Sequence, residues 1–322
     1  LIRGEIPFAA GQVPDYVLQR ANGEPLYTLV NPTDDAAMKI THVLRGEDLL
    51  SSTPRQIALY EAMIAIGAFE GPVPRFGHLP YVMGEGNKKL SKRDPESSLQ
   101  MYRDEGYLPE GLTNYLALLG WSPGGDVEFF SKQQMAEAFT LDRVNPNPAR
   151  FDLKKCTAIN GDWIRHLGLD ELVDRLVPYL VREGVVADPP SPAEVDLVRA
   201  VVPLISERME TLGQASGMVG FLFVEDVVVD AADAEKILGE QSGEVLAAAE
   251  VALSALEEWT TEAIEGALRS ALIDGLGLKP KVAFGPVRLA ITGRRVSPPL
   301  FESMELLGAE RSLARIAALK GA

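Results

Sequence analysis

His78-Leu79-Pro80-Tyr81-Val82-Met83 runs through Gly84-Glu85-Gly86-Asn87 into Lys88-Lys89-Leu90-Ser91-Lys92-Arg93. An apolar run, a glycine-rich break and a cluster of cations is the pattern of a strand ending in an anion-gripping loop. Lys89 and Lys92 stand three apart, with the Ser91 hydroxyl between them and Arg93 behind. Together they offer donors suited to a polyphosphate. A solvated basic loop is the alternative reading of the same residues. The sequence upstream favours the first. Phe76–Met83 reads as an apolar strand. Ser52-Thr53-Pro54 offers capping hydroxyls and a proline for a first helical turn, followed by Ile57, Tyr60, Met63, Ile64 and Gly67 on one face. Thr41–Gly46 is another short strand. Leu26–Asn31 and Asp15–Arg20 are read as strands joined by the turn Asn22-Gly23-Glu24-Pro25. Strand, helix, strand at this spacing predicts a parallel sheet, and ligands of such sheets bind beyond the carboxyl ends of the strands. The basic loop sits at such an end.

From Leu108 onward the pattern turns helical. Glu110–Leu119, Leu169–Glu183, Pro192–Leu212, Gly243–Trp259 and Thr260–Leu276 carry three-to-four spacing of apolar residues. Leu141–Pro148 reads as loop, and Val185–Pro192, with its prolines, as a hinge or linker. The fold class expected is therefore α/β followed by all-α.

At 322 residues the chain has room for two or three cored domains. No apolar stretch approaches the roughly 18 residues that span a bilayer, so no membrane partner is expected. The single Cys156 excludes an internal disulfide framework and a cysteine-rich zinc site, and a reducing cytoplasm is the simplest compartment. His42, His78 and His166 are the only histidines, too few and too scattered to suggest a metal cluster. The chain opens with Leu1 rather than Met, which suggests a piece of something longer. Net charge is −15, which read globally argues against nucleic acid. Its distribution does not. Residues 165–275 carry a net −15, whereas residues 276–322 carry +5, an asymmetry suited to a local anion-binding face or to a basic tail facing solvent.

Leu26–Asn31 leading to Asp34-Asp35, then Thr41-His42-Val43-Leu44-Arg45-Gly46-Glu47-Asp48, then Ser52-Thr53-Pro54-Arg55-Gln56, His78-Leu79-Pro80 and Lys89–Arg93, in that order, closely resemble bacterial glutamyl-tRNA synthetases, a class I aminoacyl-tRNA synthetase family. The loop is similar to that family's KMSKR motif. Phe284–Gly293, Ser297-Pro298-Pro299-Leu300-Phe301 and Leu306-Leu307-Gly308 resemble its anticodon-binding domain. The family's HIGH-type motif has no counterpart. His166-Leu167-Gly168-Leu169 lacks the second histidine and follows the lysine loop instead of preceding it. The resemblance thus implies the C-terminal two-thirds of such an enzyme. It implies the end of a connective-peptide insertion at 1–25, and the second half of a Rossmann-type catalytic domain at 26–95. A stem-contact domain follows at 96–164, then helical anticodon-binding subdomains at 165–275 and 276–322.

The same resemblance implies an ATP- and Mg2+-dependent glutamate–tRNA ligase. Arg45 would hold the substrate's side-chain carboxylate, since a guanidinium fork pairs bidentately with a carboxylate. A plain ion pair with Glu47 or Asp48 is its alternative. Tyr27 and Asn31 would share the amino-acid pocket, with a core tyrosine as the alternative for Tyr27. Lys89 and Lys92 are the implied catalytic cations, joined at ATP by Ser91, Arg93 and Asp48. Arg208, Arg288, Ser297, Pro298 and Leu300 would contact the tRNA anticodon. Lys279, Lys281, Arg294 and Arg295 would meet phosphates, which position without specifying. Arg208 has a solvated ion pair as its alternative. No protein nucleophile and no metal ligand set is implied. The partners are tRNA-Glu, glutamate and ATP, the family expectation is a monomer, and a tRNA-binding module alone is the alternative for the chain as it stands.

Overall fold

Tyr27–Ala37 winds into a helix, α1, in a computed structural model that describes residues 1–84, 86, 88–91 and 93–321. The strand expected at Leu26–Asn31 is therefore wrong. Its β-branched and aromatic residues favour a strand locally, but Thr28, Leu29, Asn31, Pro32, Asp35 and Ala36 are the residues shielded from solvent, a helical spacing, and the helix packs on the one beginning at Thr53. Asp15–Arg20 forms no strand either. It contributes an isolated antiparallel bridge from Gln19 to Pro25 across the Asn22-Gly23 turn.

The next elements follow expectation. His42–Gly46 is β1, Glu47–Ser52 a 3-10 turn, Thr53–Ala65 α2 with Pro54 in its first turn, and Arg75–Leu79 β2. β1 and β2 pair in parallel, with Arg45 opposite His78 and Gly46 opposite Leu79. The run Phe76–Met83 is not one strand. Pro80 has no amide hydrogen to give a ladder, and the chain resumes as β3, Val82–Met83.

Beyond the basic loop come α3 (Leu99–Glu105), α4 (Pro109–Leu118), α5 (Lys132–Ala138) and β4 (Ala149–Arg150), the last parallel to β3. The remainder is helical: α6 (Leu153–His166), α7 (Leu169–Arg182), α8 (Pro192–Ile205), α9 (Ala215–Val219), α10 (Ala231–Ile237), α11 (Ser242–Ser254), α12 (Thr261–Leu268), α13 (Pro280–Thr292), α14 (Leu300–Leu307) and α15 (Ala309–Gly321). Arg269–Gly275 continues α12 as a π-helical turn.

The chain divides into two compact units. One is formed by residues 1–99 with 112–156, the other by residues 100–111 with 157 onward. In the first unit, aromatic pairs do much of the packing: Tyr60 against Phe69, Tyr115 against Phe151 and Trp121 against Phe130 meet edge to face at 5.6, 5.1 and 5.7 Å. In the second unit Leu176, Val198, Val202, Leu246, Ile264, Val287 and Ile316 belong to one continuous core. Each such side chain stabilises the fold by about 1.5–3 kcal/mol relative to exposure.

Three helical boundaries differ from expectation. The helix read as Pro192–Leu212 stops at Ile205, because Thr211 and Gln214 cap a separate turn at Leu212–Gln214. The helix read as Gly243–Trp259 stops at Ser254, and Thr260 accepts from the Ala263 amide to start α12. Val185–Pro192 is not a loose hinge. Val186 is buried, and Ser191 with Glu194 forms a capping box on α8, which packs against α7.

Candidate functional site

Arg45 leaves the carboxyl end of β1 half-buried, and its guanidinium is held from four directions. Nη1 donates to the Tyr27 hydroxyl at 3.1 Å and to Asn31 Oδ1 at 3.3 Å. Nη2 donates to Thr53 Oγ1 at 2.7 Å, and Nε to His78 Nε2 at 3.4 Å. The face of Phe76 lies 5.4 Å away. Every one of these partners is neutral. Among the described residues no carboxylate forms a salt bridge with Arg45. Glu47, the acid offered as an alternative partner, pairs instead with Arg3 and accepts the Tyr81 amide at 3.1 Å. A partly desolvated cation with no carboxylate in direct contact can take an anion, Asp35 acting on it only at longer range and through Asn31. A carboxylate would engage the remaining Nη2 hydrogen and displace a neutral partner to be held by two.

The error over α1 has a bearing here. Residues four apart in a strand are roughly 13 Å apart, beyond the reach of one guanidinium. In a helix they are about 6 Å apart along the axis, on one face. Tyr27 and Asn31 do share a face, and only the helix lets both reach Nη1.

Around this cation the titrating groups are displaced. His78, buried at the end of β2, is held below its usual value by burial first, then by Arg45. Asp35, which accepts from Asn31 Nδ2 at 3.1 Å, is pushed up by burial, against the pull of Arg45. Burial raises the Tyr60 phenol to about 12, with Asp35 adding to the effect. Gln56 Oε1 and the Tyr60 hydroxyl are buried without a hydrogen-bond partner. Sequence reasoning passed over Thr53, Gln56 and His78 as chemistry. Their only signal was the presence of polar residues on otherwise apolar elements. Their convergence needed the parallel register.

The basic loop folds back on β3. Met83 and Lys89 bridge, Gly84 N donates to Lys88 O at 2.8 Å, and Leu90 N to Val82 O at 2.9 Å. Lys89 Nζ rests 3.8 Å from the centre of the Tyr81 ring, a cation–π contact. The Ser91 amide donates to Asp94 Oδ2 at 2.6 Å, and Ser91 Oγ accepts from Arg93 N at 3.2 Å. Thus both the Ser91 amide and its hydroxyl oxygen already have partners within the loop. A cleft of ≈ 330 Å³ opens beside Lys88, Lys89, Ser91 and Asp94, closed behind by Phe151. Lys92 lies outside the described residues. Asp48 is exposed on the turn after β1, and a side chain at Gly46 would collide with its carboxylate. Among the described residues, no group of three or more His, Cys, Asp or Glu is arranged to hold a metal, and no helix is long and apolar enough to cross a membrane.

In the second unit the turn at residues 297–298 gathers two arginines. Exposed Arg208 donates Nη1 to Ser297 O at 2.9 Å. Half-buried Arg288 donates Nη1 to Ser297 Oγ at 2.6 Å and to Pro298 O at 2.9 Å. Burial first, and Arg208 second, hold the Arg288 guanidinium below its usual value, with Glu302 pulling the other way. Arg208 sits on the 3-10 turn Ser206–Arg208 and not in a solvated helical ion pair. Pro298 and Leu300 are buried, Leu300 within the core, so their side chains support this turn from beneath. Lys279, Lys281 and Arg294 are exposed, whereas Arg295 is tied to Asp233 at 3.0 Å.

Comparison with known proteins follows the same division. Residues 1–158 match the family of tRNA synthetases class I (E and Q), catalytic domain, and residues 171–320 match an anticodon binding domain. A glutamate–tRNA ligase of Kocuria rhizophila is 60% identical over 321 residues, covering 99% of this chain and 63% of its own length. That of Saccharopolyspora erythraea is 60% identical, covering 100% of this chain and 64% of its own length. The chain thus spans somewhat under two-thirds of these relatives. A crystal structure of a glutamate tRNA ligase from Elizabethkingia meningosepticum, in complex with its amino acid, superposes with a TM-score of 0.83 at 28% identity, over 99% of this chain and 64% of that one.

Proposed function

The chain belongs to the glutamate–tRNA ligase family of class I aminoacyl-tRNA synthetases, and from that premise we propose that it supplies the glutamate pocket, the nucleotide loop and the anticodon surface of an enzyme that joins glutamate to tRNA-Glu. The observation that carries this reading is the Arg45 guanidinium, in contact with four neutral acceptors and with no carboxylate among the described residues. The substrate's side-chain carboxylate supplies the missing negative charge. An amide in its place would leave a desolvated cation unpaired, which is how the pocket separates glutamate from glutamine.

The α-carboxylate of glutamate attacks the α-phosphorus of ATP, pyrophosphate leaves, and the acyl group then passes from the adenylate to a terminal ribose hydroxyl of the tRNA. Lys89, with Lys92 assigned the same task by its place in the loop, neutralises charge gathering on the phosphates. For Lys89 this means leaving the Tyr81 ring. Ser91, Arg93 and Asp48 complete the nucleotide contacts. Mg2+ would ride on the ATP phosphates, as it commonly does where acidic side chains are sparse. Positioning and charge neutralisation suffice, so no protein nucleophile is required. Arg208, Arg288 and Ser297 would read the anticodon, while Lys279, Lys281 and Arg294 meet phosphates. We assign residues 26–95 to the catalytic half-domain, 96–164 to stem contact, and 165–322 to the anticodon, acting as a monomer in the cytoplasm.

The test is binding of tRNA by this chain across a salt series. Binding that prefers tRNA-Glu and weakens steeply with salt is expected. Equal affinity for unrelated tRNAs, or none in a folded chain, would remove the anticodon assignment.

A further inference from the structure

His78 and Thr53 form the rigid back wall of the pocket. His78 is 5% exposed and Thr53 6%. Thr53 Oγ1 takes an N–H from Arg45 at 2.7 Å and lies 2.9 Å from His78 Nε2, with Leu49 O at 3.3 Å. The same His78 nitrogen faces Arg45 Nε at 3.4 Å. Arg45 has no lone pair to offer, so every N–H it points at this wall needs an acceptor. Thr53 has accepted one and has a proton of its own to give. His78 Nε2 completes the set only as a bare lone pair, which places the imidazole proton on Nδ1.

We propose that His78, acting with Thr53, is the positioning residue that sets Arg45 for the substrate carboxylate while leaving its charge unspent. The inference rests on the glutamate-pocket reading above. A carboxylate in the place of His78 would orient the fork equally well but would neutralise it, and the pocket would lose its demand for an anion. A neutral imidazole orients without neutralising. The two residues face each other across the β1–β2 register, so this geometry is built into the sheet. The charged group facing His78 is Arg45 on β1, and Asp35 and Tyr27 on α1 and Tyr60 on α2 interact with that same Arg45. Burial and Arg45 disfavour the charged imidazole, in keeping with the acceptor role that the hydrogen-bond geometry sets. Protonation would place a second cation against Arg45 and remove the acceptor.

The experiment uses the complete gene product. Steady-state ATP–pyrophosphate exchange in the presence of tRNA is measured for the wild type, His78→Leu, His78→Gln and Arg45→Ala, with melting temperatures alongside. Gln carries an acceptor near the position of Nε2. Loss of a hydrogen bond to a charged group predicts a KM for glutamate raised about tenfold or more in His78→Leu. The KM for ATP and kcat should stay within about threefold, and His78→Gln should recover most of the glutamate KM. In the wild type that KM should rise as pH falls below the usual histidine range, and the rise should vanish in His78→Gln. Three results overturn the proposal: an unchanged glutamate KM in His78→Leu when Arg45→Ala raises it; a failure of His78→Gln to recover KM although it melts like the wild type; or a uniform loss in all parameters that tracks melting temperature. An Arg45→Ala enzyme with unaltered glutamate KM would remove the pocket reading, and this inference with it.

Discussion

Arg45 shows what one residue can and cannot declare in a sequence. Its motif singled it out, and its fork was the reason to expect a carboxylate. Its partners were not legible, because Thr53 and His78 are eight and thirty-three positions away and meet it only through the turn and the parallel register. Arg45→Lys keeps the charge but loses the fork, since an ammonium cannot satisfy Tyr27, Asn31, Thr53 and His78 together. We expect glutamate KM to rise about tenfold or more with the fold intact, read by exchange kinetics beside circular dichroism. Lys89 gives a second residue-level prediction. Its contact with Tyr81 is worth about 0.5–1 kcal/mol at an exposed position. Tyr81→Phe keeps the aromatic face and should leave ATP KM unchanged. Tyr81→Leu frees the ammonium and should shift ATP KM about two- to fivefold. Identical kinetics in both variants would show that Tyr81 does not restrain the lysine.

Among elements, β1, α2 and β2 were legible because capping residues, proline placement and apolar runs agree. α1 was not, because Tyr27–Val30 has strand-like composition and only its packing on α2 selects the helix. A spacing of four keeps Tyr27 and Asn31 on one face in either element, but only the helix brings both within reach of Arg45. The Glu110–Arg175 pair between α4 and α7 had no signal in the sequence. Arg175 donates to both oxygens of Glu110, at 2.9 and 2.8 Å, and this hydrogen bonding holds the carboxyl below its usual range against a smaller opposing effect of burial. A depressed carboxyl contributes stability that is present above its unfolded value and lost as pH falls through the folded one. Stability should therefore decline as pH drops below about 4.5, and Glu110→Gln should flatten part of that decline. A double-mutant cycle with Arg175→Met should return a coupling of about 1 kcal/mol, given that both side chains are partly exposed.

On the scale of the molecule, the change of periodicity near Leu108 marks where helices take over but not where the compact units divide, since residues 112–156 belong with the first unit and residues 100–111 with the second. What the sequence hid is how the helical unit fastens itself. Arg315, 4% exposed, donates Nε to Glu225 O at 3.1 Å, Nη1 to Ile291 O at 2.7 Å, and Nη2 to Phe221 O at 2.9 Å and to Val224 O. Burial lowers its pKa to about 10, so it remains charged at neutral pH. On the page of letters it is one cation on an amphipathic helix. Arg315→Met would take the donor from the buried Ile291 and Phe221 carbonyls, and should cost about 3 kcal/mol in a urea melt of the helical unit.

The central claim is that the Arg45 guanidinium, in direct contact with no carboxylate of its own chain among the described residues, selects the amino acid. Its most direct measurement is exchange activity of the complete gene product with glutamate and with glutamine, in the wild type and in Arg45→Leu. The wild type should strongly prefer glutamate, and Arg45→Leu should lose about 100-fold or more in kcat/KM for glutamate while its small activity with glutamine changes little. Retention of the glutamate preference in Arg45→Leu would contradict the account, because the charge that discriminates would then lie elsewhere.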